Sequence, residues 1–487
     1  MDRVKPLYFS LSPSEKKAIR YYLAAFHQKG ENKAVEFLKL LDAQPEISHE
    51  ASSQKLYNDP RSKAFIMMKS RLSERITEFL TLSVNPDANR RDRDAPYYQD
   101  LIEFRKCMLY ASALQERQLS SHALEALEKA RALAACCNAP ELEVDALIRL
   151  RGLDRSGTDR FEELSIQIQK ALKQQECDIN ATGLMRKFMT LSGGQSGGDE
   201  ARIAFLEAHL PSLEDAIRQV YSVRADYFLQ MLKVHLCYLT RKLEDGRTFS
   251  KRGLQILIDH EGIRSPLRMA DSWFQLGRLE LQGHAYDDAL ASFDKARSFQ
   301  TEESRAHLST SLLMLYCQIY RRDHAMANQL VEQIKHGPAL RGSGKNPFNR
   351  GIFTYLSACV SFVQGALKDA WMLVQECQEF ALDKETWLTG IRLFEIMVLV
   401  EKNEPDLASQ KLESLRKHMS RYTPEPRSRA IFKMLMAQER LGFSFAPIQD
   451  EAQQIANLQQ GLYWDPIGQE VIRFDEWYLE RRARKAK

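Results

Sequence analysis

The apolar residues of this chain recur in triplets that are spaced for one face of an α-helix. Each triplet has a step of four residues and then a step of three, which places its members side by side on a helix. The copies are Ala123, Leu127 and Ala130; Leu164, Ile168 and Ala171; Ser250, Leu254 and Leu257; Ala289, Phe293 and Ala296; Ala327, Val331 and Ile334; Ala370, Val374 and Cys377; and Ala408, Leu412 and Leu415. From the fourth copy onward they recur every ~40 residues, which indicates helical repeats.

The fourth copy is the best preserved, because the helix before its triplet also fits a pattern. The stretch reads WFQLGRLELQGHAYDDALASFDKA. Six residues carry the match: Trp273, Leu276, Gly277, Ala289, Phe293 and Ala296. In the order W-x2-L-G and then A-x3-F-x2-A, they closely resemble a tetratricopeptide repeat (TPR), which is a hairpin of two helices. Glu280 and Thr301 stand where that family usually has tyrosine and proline.

The residue sizes in this stretch have a physical reason. Gly277 and Ala289 are small where two helices cross, so the backbones can approach, while Trp273 and Phe293 fill the space on either side. A single hairpin cannot bury both of its faces and must stack on a neighbour. We therefore expect an all-α protein, a TPR-like α-solenoid of stacked helical hairpins that winds into a right-handed superhelix.

The resemblance also implies a binding surface. In TPR proteins the first helix of each hairpin lines a concave groove, and the family's groove-facing positions fall here on two helices. They are Asp271, Phe274, Arg278 and Gln282 in the best-matched repeat, and Arg105, Met108 and Ser112 in the first repeat. The implied ligand is a peptide, a helix or the surface of another protein.

The pattern divides the chain into four parts. Residues 1–85 form a helical N-terminal module, residues 86–98 a charged linker with two prolines, residues 99–466 the repeats, and residues 467–487 a capping helix with a basic tail. Further helices are predicted near Ala34–Leu41 and Ser62–Leu82, and Ser12 is a predicted N-cap. The run SLSPSEK, the helix after it and a KLLD turn resemble the leading segment of a group of bacterial TPR-like proteins, which implies a bacterial cytoplasmic protein.

A glycine-rich stretch, LSGGQSGG from Leu191 to Gly198, raises the question of an enzyme. Its first five letters match the signature peptide of ATP-binding-cassette proteins, which also need a G-x-x-x-x-G-K-[ST] loop to hold the phosphates. The nearest stretch, Gly342–Pro347, has Asn346 in place of the hydroxyl residue. Gly194, Ser196 and Gly198 also spell G-x-S-x-G, but no strand pattern precedes them. We expect a hairpin turn here, after the second helix at Leu164, with a separate helix on each side of the turn.

The remaining chemistry favours binding over catalysis. No residue set indicates a catalytic site, a cofactor site or a metal site, and the eight cysteines lack the spacing of a disulfide framework. The chain has no apolar leader segment, which favours the cytoplasm. We therefore expect a non-enzymatic scaffold that binds a protein or peptide and does not bind a membrane.

One alternative stays open. A helical module ahead of TPR hairpins resembles the plan of peptide-responsive transcriptional regulators, in which residues 1–85 would bind DNA. Arg71 and Arg75 lie one helical turn apart in that module. The whole chain carries a net charge of only +4, which argues little for a nucleic-acid partner.

Overall fold

The chain folds into helices joined by short turns. The computed structural model describes residues 4–11, 13–25, 32–82, 96–155, 157–191, 198–342, 347–380, 386–422 and 425–485. Every regular element in these ranges is a helix. The contacts divide the chain into two compact units, Met1–Leu109 and Tyr110–Lys487. The division falls within helix α6 (Pro96–Glu116).

The first unit packs five further helices around its own core. They are α1 (Val4–Phe9), α2 (Pro13–Ala25), α3 (Lys33–Ala43), α4 (His49–Tyr57) and α5 (Lys63–Leu82). The rings of Phe37 on α3 and Phe65 on α5 meet edge to face with centroids 5.2 Å apart, and both are fully buried. The two helices predicted near Ala34–Leu41 and Ser62–Leu82 are therefore confirmed as α3 and α5, whereas the predicted cap Ser12 lies outside the described residues.

The second unit contains a long series of helices. Its described helices after α6 are α7 (Ser120–Cys136), α8 (Pro140–Leu153), α9 (Thr158–Thr190), α10 (Gly198–Gln219), α11 (Val223–Thr240), α12 (Leu243–Asp259), α13 (Pro266–Gln282), α14 (Tyr286–Ser298), α15 (Arg305–Tyr320), α16 (His324–His336), α17 (Pro338–Gly342), α18 (Pro347–Val363), α19 (Leu367–Phe380), α20 (Trp387–Glu401), α21 (Pro405–Met419), α22 (Pro426–Glu439), α23 (Glu451–Ala456) and α24 (Phe474–Lys485). Successive helices pack on one another, so the predicted all-α fold of stacked helical hairpins is confirmed.

The α13–α14 hairpin shows why the small residues matter. A β-carbon on Gly277 would lie 2.6 Å from Cε1 of Phe293, so only glycine lets α14 approach α13 this closely. Phe293 and Ala289 are completely buried in the crossing. Trp273 is only half-buried, and Nζ of Lys295 lies 4.2 Å from its ring. Phe293 is therefore the main space-filling residue of this hairpin.

The same turn geometry closes the other hairpins. Each of six turns contains one residue with a left-handed backbone conformation, which reverses the chain after a first helix. These residues are Gln118, Arg241, His284, Arg322, Gly365 and Asn403. Each is followed by a helix that carries one of the apolar triplets, and the triplet residues are buried except for the half-buried Val331. The recurring turn and the recurring triplet define the repeat.

Two predicted helix boundaries are wrong. The triplet at Leu164 and the stretch before Leu191 were expected in separate helices, but α9 runs through both from Thr158 to Thr190. The only glycine between them, Gly183, is tolerated within the helix, and no proline interrupts it. The final helix was predicted from Gln469 but begins at Phe474, because residues 462–473 are held in a non-helical conformation by contacts described below.

Candidate functional site

The first helices α11, α13, α15, α18 and α20 lie next to one another in the second unit and form a surface that we call the first-helix wall. The guanidinium of Arg278 on α13 lies 4.0 Å from the ring of Tyr238 on α11. Helices α15 and α18 are in contact. The rings of Tyr355 on α18 and Phe394 on α20 meet edge to face at 5.5 Å. Because aromatic and polar groups recur along these helices, the wall can bind both apolar and polar groups of a ligand.

Part of this wall carries the four groove positions predicted in the best-matched repeat. Oδ1 of Asp271 accepts a hydrogen bond from Nε2 of Gln275 at 3.4 Å, and Oε1 of Gln275 accepts one from Nη1 of Arg278 at 3.1 Å. Phe274 is half-buried beside Arg278, with 5.9 Å from the guanidinium to its ring. Gln282, one helical turn further, is buried. The four positions therefore lie on one helix, and the hydrogen-bonded row on that helix consists of Asp271, Gln275 and Arg278.

The charges in this row are partly shielded from water. Solvent reaches the side chain of Asp271, yet the protein atoms around its carboxyl group raise its pKa, against the opposing effects of Gln275 and Arg278. In the part of the chain that the structure describes, Arg278 makes no direct ion pair with a carboxylate. Its guanidinium instead packs on Tyr238 and hydrogen bonds to Gln275. It is therefore able to pair with a carboxylate of a ligand.

A buried histidine lies beside this row. His235 on α11 packs against Phe188 on α9 with ring centroids 4.9 Å apart, and the guanidinium of Arg202 lies 4.5 Å from the other ring. Burial lowers the pKa of His235 to about 3, and the charges of Arg278 and Arg202 act in the same direction. His235 is consequently neutral at neutral pH. A protonated imidazole here would add a third positive charge to a region with two arginines.

The rest of the wall is covered by a loop of the same chain. Residues 462–470, which we call the Ω-loop, leave the π-helical turn Asn457–Gly461 and return before α24. Loops of this length whose ends lie close together are a known class of compact surface loop. The Ω-loop has no regular secondary structure, and it contacts α15, α18, α20 and the turns that follow α11 and α13 through the pairs described next.

Tyrosine hydroxyl groups on the wall bind the backbone of the Ω-loop. The hydroxyl of Tyr320 donates to the carbonyl oxygen of Pro466 at 2.6 Å, and that of Tyr316 donates to the carbonyl oxygen of Gly468 at 3.4 Å. The hydroxyl of Tyr355 donates to the carbonyl oxygen of Gln469 at 2.6 Å. Three backbone acceptors in four residues are thus satisfied by two neighbouring first helices. The acceptors lie in a turn, in which the N–H of Gly468 donates to the carbonyl oxygen of Asp465 at 3.0 Å. The tyrosines therefore hold the loop by its backbone and not by its side chains.

Gly390 on α20 allows the loop to approach the wall. A β-carbon at this position would overlap Cβ and Cγ of Gln469, so the absence of a side chain on the helix leaves room for one on the loop. The amide of Gln469 then donates from Nε2 to Oε2 of Glu425 at 2.9 Å. The wall therefore contains one position that is shaped for a loop side chain.

The aromatic side chains of the loop contact turn residues of the repeats. The indole of Trp464 lies parallel to the imidazole of His284 at 5.5 Å and edge to face with Tyr320 at 5.3 Å. The guanidinium of Arg241 lies 3.1 Å from the ring centroid of Tyr463. His284 and Arg241 are the left-handed residues of their hairpin turns. The repeat geometry itself therefore presents these two groups to the loop.

An acidic residue of the loop lies near two arginines. Burial raises the pKa of Asp465, while the positive charges of Arg278 and Arg241 lower it in part. The same carboxylate accepts a hydrogen bond from the backbone N–H of Ile467 at 3.0 Å. Asp465 thus occupies the border between the row on α13 and the tyrosines on α15.

Arg427 holds both ends of the Ω-loop. Its guanidinium donates to the carbonyl oxygen of Leu458 just before the loop and, at 3.1 Å, to that of Leu462 at the first residue of the loop. It also donates to Oε1 of Glu470 at 2.9 Å, at the last residue of the loop, and to Oδ1 of Asp475 at 2.8 Å beyond it. Because this arginine is buried and bonded on every side, the base of the loop is fixed independently of its tip.

A cleft of about 670 Å³ lies beside the loop. It is lined by three kinds of residue: the ends of α15, α16 and α18, the return arm of the loop, and α24. Its arginines are engaged in ion pairs: Arg322 with Glu480 at 2.8 Å, and Arg473 with Asp475 at 2.6 Å. With its cations already paired, this cleft offers less for an anionic ligand than the row around Arg278.

The other predicted positions are not assembled into a site. Arg105 is exposed and Met108 is buried, both on α6, and Oγ of Ser112 accepts from Nη1 of Arg149 at 2.9 Å. Helix α6 belongs partly to each of the two units. The groove predicted at these positions therefore stays a prediction. In the first unit, Arg75 pairs with Glu78 at 2.6 Å, and Arg71 is exposed.

The glycine-rich stretch lies almost entirely outside the described residues, which resume at Gly198 after Leu191. Helix α9 precedes it and α10 follows it, as expected for a turn between helices. No cluster of three or more histidine, cysteine, aspartate or glutamate side chains that could bind a metal occurs in the described ranges. Likewise, none of the described helices is both long and apolar enough to cross a bilayer.

Sequence reasoning missed the tyrosines and the loop. Tyr316 and Tyr320 are spaced i and i+4 on a first helix, which could have indicated a shared face. The sequence from Gly461 to Pro466 visibly interrupts the helical pattern, but it does not indicate which part of the protein this segment contacts. No local pattern indicates that a segment more than one hundred residues away in sequence would lie on these tyrosines.

Comparison with solved structures finds chains of similar fold. The chain resembles the crystal structure described as the apo form of RapI, with a TM-score of 0.43 and 11% sequence identity, over 76% of this chain and 98% of that chain. No protein-family model matches the chain. No curated protein matches it either. The account of the site therefore rests on the contacts within this chain.

Proposed function

We propose that the protein is a non-enzymatic scaffold of the TPR type that binds a segment of a protein or peptide along its first-helix wall. One observation carries this proposal: the hydroxyls of Tyr316, Tyr320 and Tyr355 bind three backbone carbonyls of the Ω-loop, in a stretch that forms a turn. These contacts use the ligand's backbone, so a segment of another protein can make them equally well.

The open part of the wall supports the same function. Solvent reaches Tyr238, Asp271 and Arg278 to different degrees. None of these three residues takes part in the hydrogen bonds from the wall tyrosines to the Ω-loop. A half-buried arginine supported by an aromatic ring suits a ligand carboxylate, because guanidinium groups form paired hydrogen bonds with carboxylates. The open part would then determine which segments bind, while the tyrosines hold the backbone.

The origin and the compartment belong to the same proposal. The W-x2-L-G and A-x3-F-x2-A match at Trp273–Ala296 supports repeats of the TPR family, and the SLSPSEK segment supports a bacterial protein. Seven of the eight cysteines are buried free thiols, which suits the reducing cytoplasm. Binding without turnover is proposed for the whole chain. Release of phosphate from ATP by the purified protein above the background rate would contradict it.

The test uses a display library of random peptides on the immobilised full-length protein. We expect selected peptides to bind the wild type and to bind Arg278→Ala about tenfold more weakly, since a hydrogen bond to a charged group contributes about 1.5–3 kcal/mol. The control is Arg416→Ala, which removes the same charge from the exposed face of the second helix α21. Selected peptides that bind the wild type, Arg278→Ala and Tyr320→Phe equally would contradict binding at the wall.

A further inference from the structure

We infer that the Ω-loop is an internal ligand of the first-helix wall, and that the partner is a turn-forming segment with an aromatic residue, an acidic residue and a proline in succession, which displaces the loop. This inference rests on the proposed function and names the chemistry of its ligand. The sequence of the loop tip, Trp464-Asp465-Pro466, is the pattern in question.

The aromatic position has a defined place. Trp464 lies between the parallel imidazole of His284 and the edge-on ring of Tyr320, and the guanidinium of Arg473 lies 5.0 Å from its ring. Its indole N–H donates to the carbonyl oxygen of Glu470 at 2.8 Å, which belongs to the loop itself. Its contacts with the wall are therefore ring contacts, which any aromatic side chain can make.

The acidic position is placed by its neighbours in the loop. Asp465 lies between Trp464, which stacks on His284, and Pro466, which is bonded to Tyr320, and the ring of Tyr463 just before them lies on Arg241. The charges of Arg278 and Arg241 also lower the pKa of Asp465 in part, and no ion pair of the described chain joins either arginine to a carboxylate. The proline position follows from the backbone. Pro466 is buried and has no N–H group that burial would leave unpaired, while its carbonyl oxygen is bonded to Tyr320.

The loop can leave without unfolding its neighbours. Arg427 holds both ends of the loop, and α24 has its own anchors beyond it. Trp477 donates to Oε1 of Glu401 at 2.8 Å, and Arg481 donates to the carbonyl oxygen of Val400 at 2.9 Å. Only the wall contacts of residues 463–469 need to break. Water can replace the three tyrosine hydrogen bonds on both sides once the loop is released.

The tether explains why the loop occupies the wall in the free protein. A segment attached at both ends has an effective concentration of the order of millimolar at its own site. A free segment with the same contacts therefore binds with an apparent dissociation constant equal to the intrinsic one divided by the fraction of time the loop is unseated. A partner must have better contacts, which the open part of the wall around Arg278 can supply.

The test measures binding of a fluorescently labelled synthetic peptide of residues 461–471 to the full-length protein by anisotropy. We expect weak binding to the wild type and about tenfold or tighter binding to Trp464→Ala, because the loop is then seated less often. Gly390→Ala serves as a second variant that disfavours the seated loop from the wall side without changing the loop. Circular dichroism establishes that each variant is folded.

The peptide itself carries two controls. Replacing its aspartate with asparagine is expected to weaken binding to Trp464→Ala about tenfold, and this loss is expected to disappear when Arg278→Ala is added. A scrambled peptide is expected not to bind. These results would assign the aspartate to the arginine and not to general charge attraction.

Two results would overturn the inference. If the peptide binds the wild type, Trp464→Ala and Gly390→Ala equally tightly, the loop does not compete for the wall. If it binds none of them, the wall does not recognise the loop sequence. Either result leaves the proposed function standing if library peptides still bind the wild type more tightly than Arg278→Ala. If library peptides bind the two proteins equally as well, the inference and the proposed function both fail.

Discussion

The first-helix wall has two parts that differ in how their polar groups are satisfied. In the covered part, the hydroxyls of Tyr316, Tyr320 and Tyr355 each have a backbone carbonyl of the Ω-loop as acceptor. In the open part, Arg278 hydrogen bonds to Gln275 and packs on Tyr238, Asp465 of the loop interacts with it through charge and not through a hydrogen bond, and solvent reaches Asp271. The same repeat architecture thus presents one surface with a ligand and one without. The difference indicates where a partner would first bind and what it would have to displace.

The largest expected effect comes from the hairpin that supports the open part. Phe293→Ala should lower the free energy of unfolding by about 3–5 kcal/mol, because the ring is fully buried against Gly277 and leaves a cavity. Trp273→Ala, at the half-buried neighbour, should cost clearly less. Urea unfolding measures both. Equal costs for the two truncations would show that the helix crossing is not centred on Phe293.

Acid should weaken the open part through His235. Its pKa is about 3 in the folded protein against ~6.5 in an unfolded chain, so below pH 6.5 the unfolded chain binds a proton that the folded protein excludes. Stability from this group is complete above about pH 6.5 and is lost as the pH falls toward 3. Between pH 7 and pH 4.5 the loss is about 2.5 kcal/mol.

The measurement is urea unfolding of the wild type and His235→Gln at these two pH values. The variant should lose about 2.5 kcal/mol less than the wild type over this interval. The matched control is His336→Gln on the exposed end of α16, which should behave like the wild type. Parallel losses in the wild type and His235→Gln would contradict a buried, neutral His235.

The two wall glycines should behave differently because they face different neighbours. Gly277→Ala places a β-carbon 2.6 Å from the buried ring of Phe293 and should destabilise the protein by about 1–3 kcal/mol. Gly390→Ala meets the side chain of Gln469 on the loop, which can move away, and helix propensity favours alanine by about 1 kcal/mol. Its unfolding free energy should change little. A large loss for Gly390→Ala would mean that the seated loop is required for folding.

The smallest effect should come from single hydroxyl groups. Tyr320→Phe removes the donor to the carbonyl of Pro466 and should destabilise the protein by about 1 kcal/mol, whereas Tyr238→Phe in the open part removes no bond to the loop backbone. Thermal unfolding of the two variants in parallel measures the difference. The distinction between covered and open parts would be contradicted by a Tyr238→Phe loss equal to or larger than the Tyr320→Phe loss.

The sequence predicted the helical repeats but not the Ω-loop that lies on them. Particular residues show why. The Ala289, Phe293 and Ala296 triplet is a local pattern, because helix packing requires small and large residues at fixed steps. Asp271 and Arg278 were assigned to the groove through the resemblance to tetratricopeptide repeats and not through this pattern. The contact between Tyr320 and Pro466 joins residues far apart in sequence, and a tyrosine buried for packing has the same spacing as one that donates to a loop. The length of α9 was mispredicted because a buried triplet does not mark where its helix ends.

The most direct test follows amide hydrogen exchange of residues 462–470 in the full-length protein with and without a saturating peptide selected from the display library. The account predicts that peptide binding increases exchange in the Ω-loop, while exchange in α24 stays unchanged because Trp477 and Arg481 anchor it separately. Unchanged or slower exchange in the Ω-loop, with the peptide bound in an Arg278-dependent manner, would contradict the claim that loop and partner share the first-helix wall.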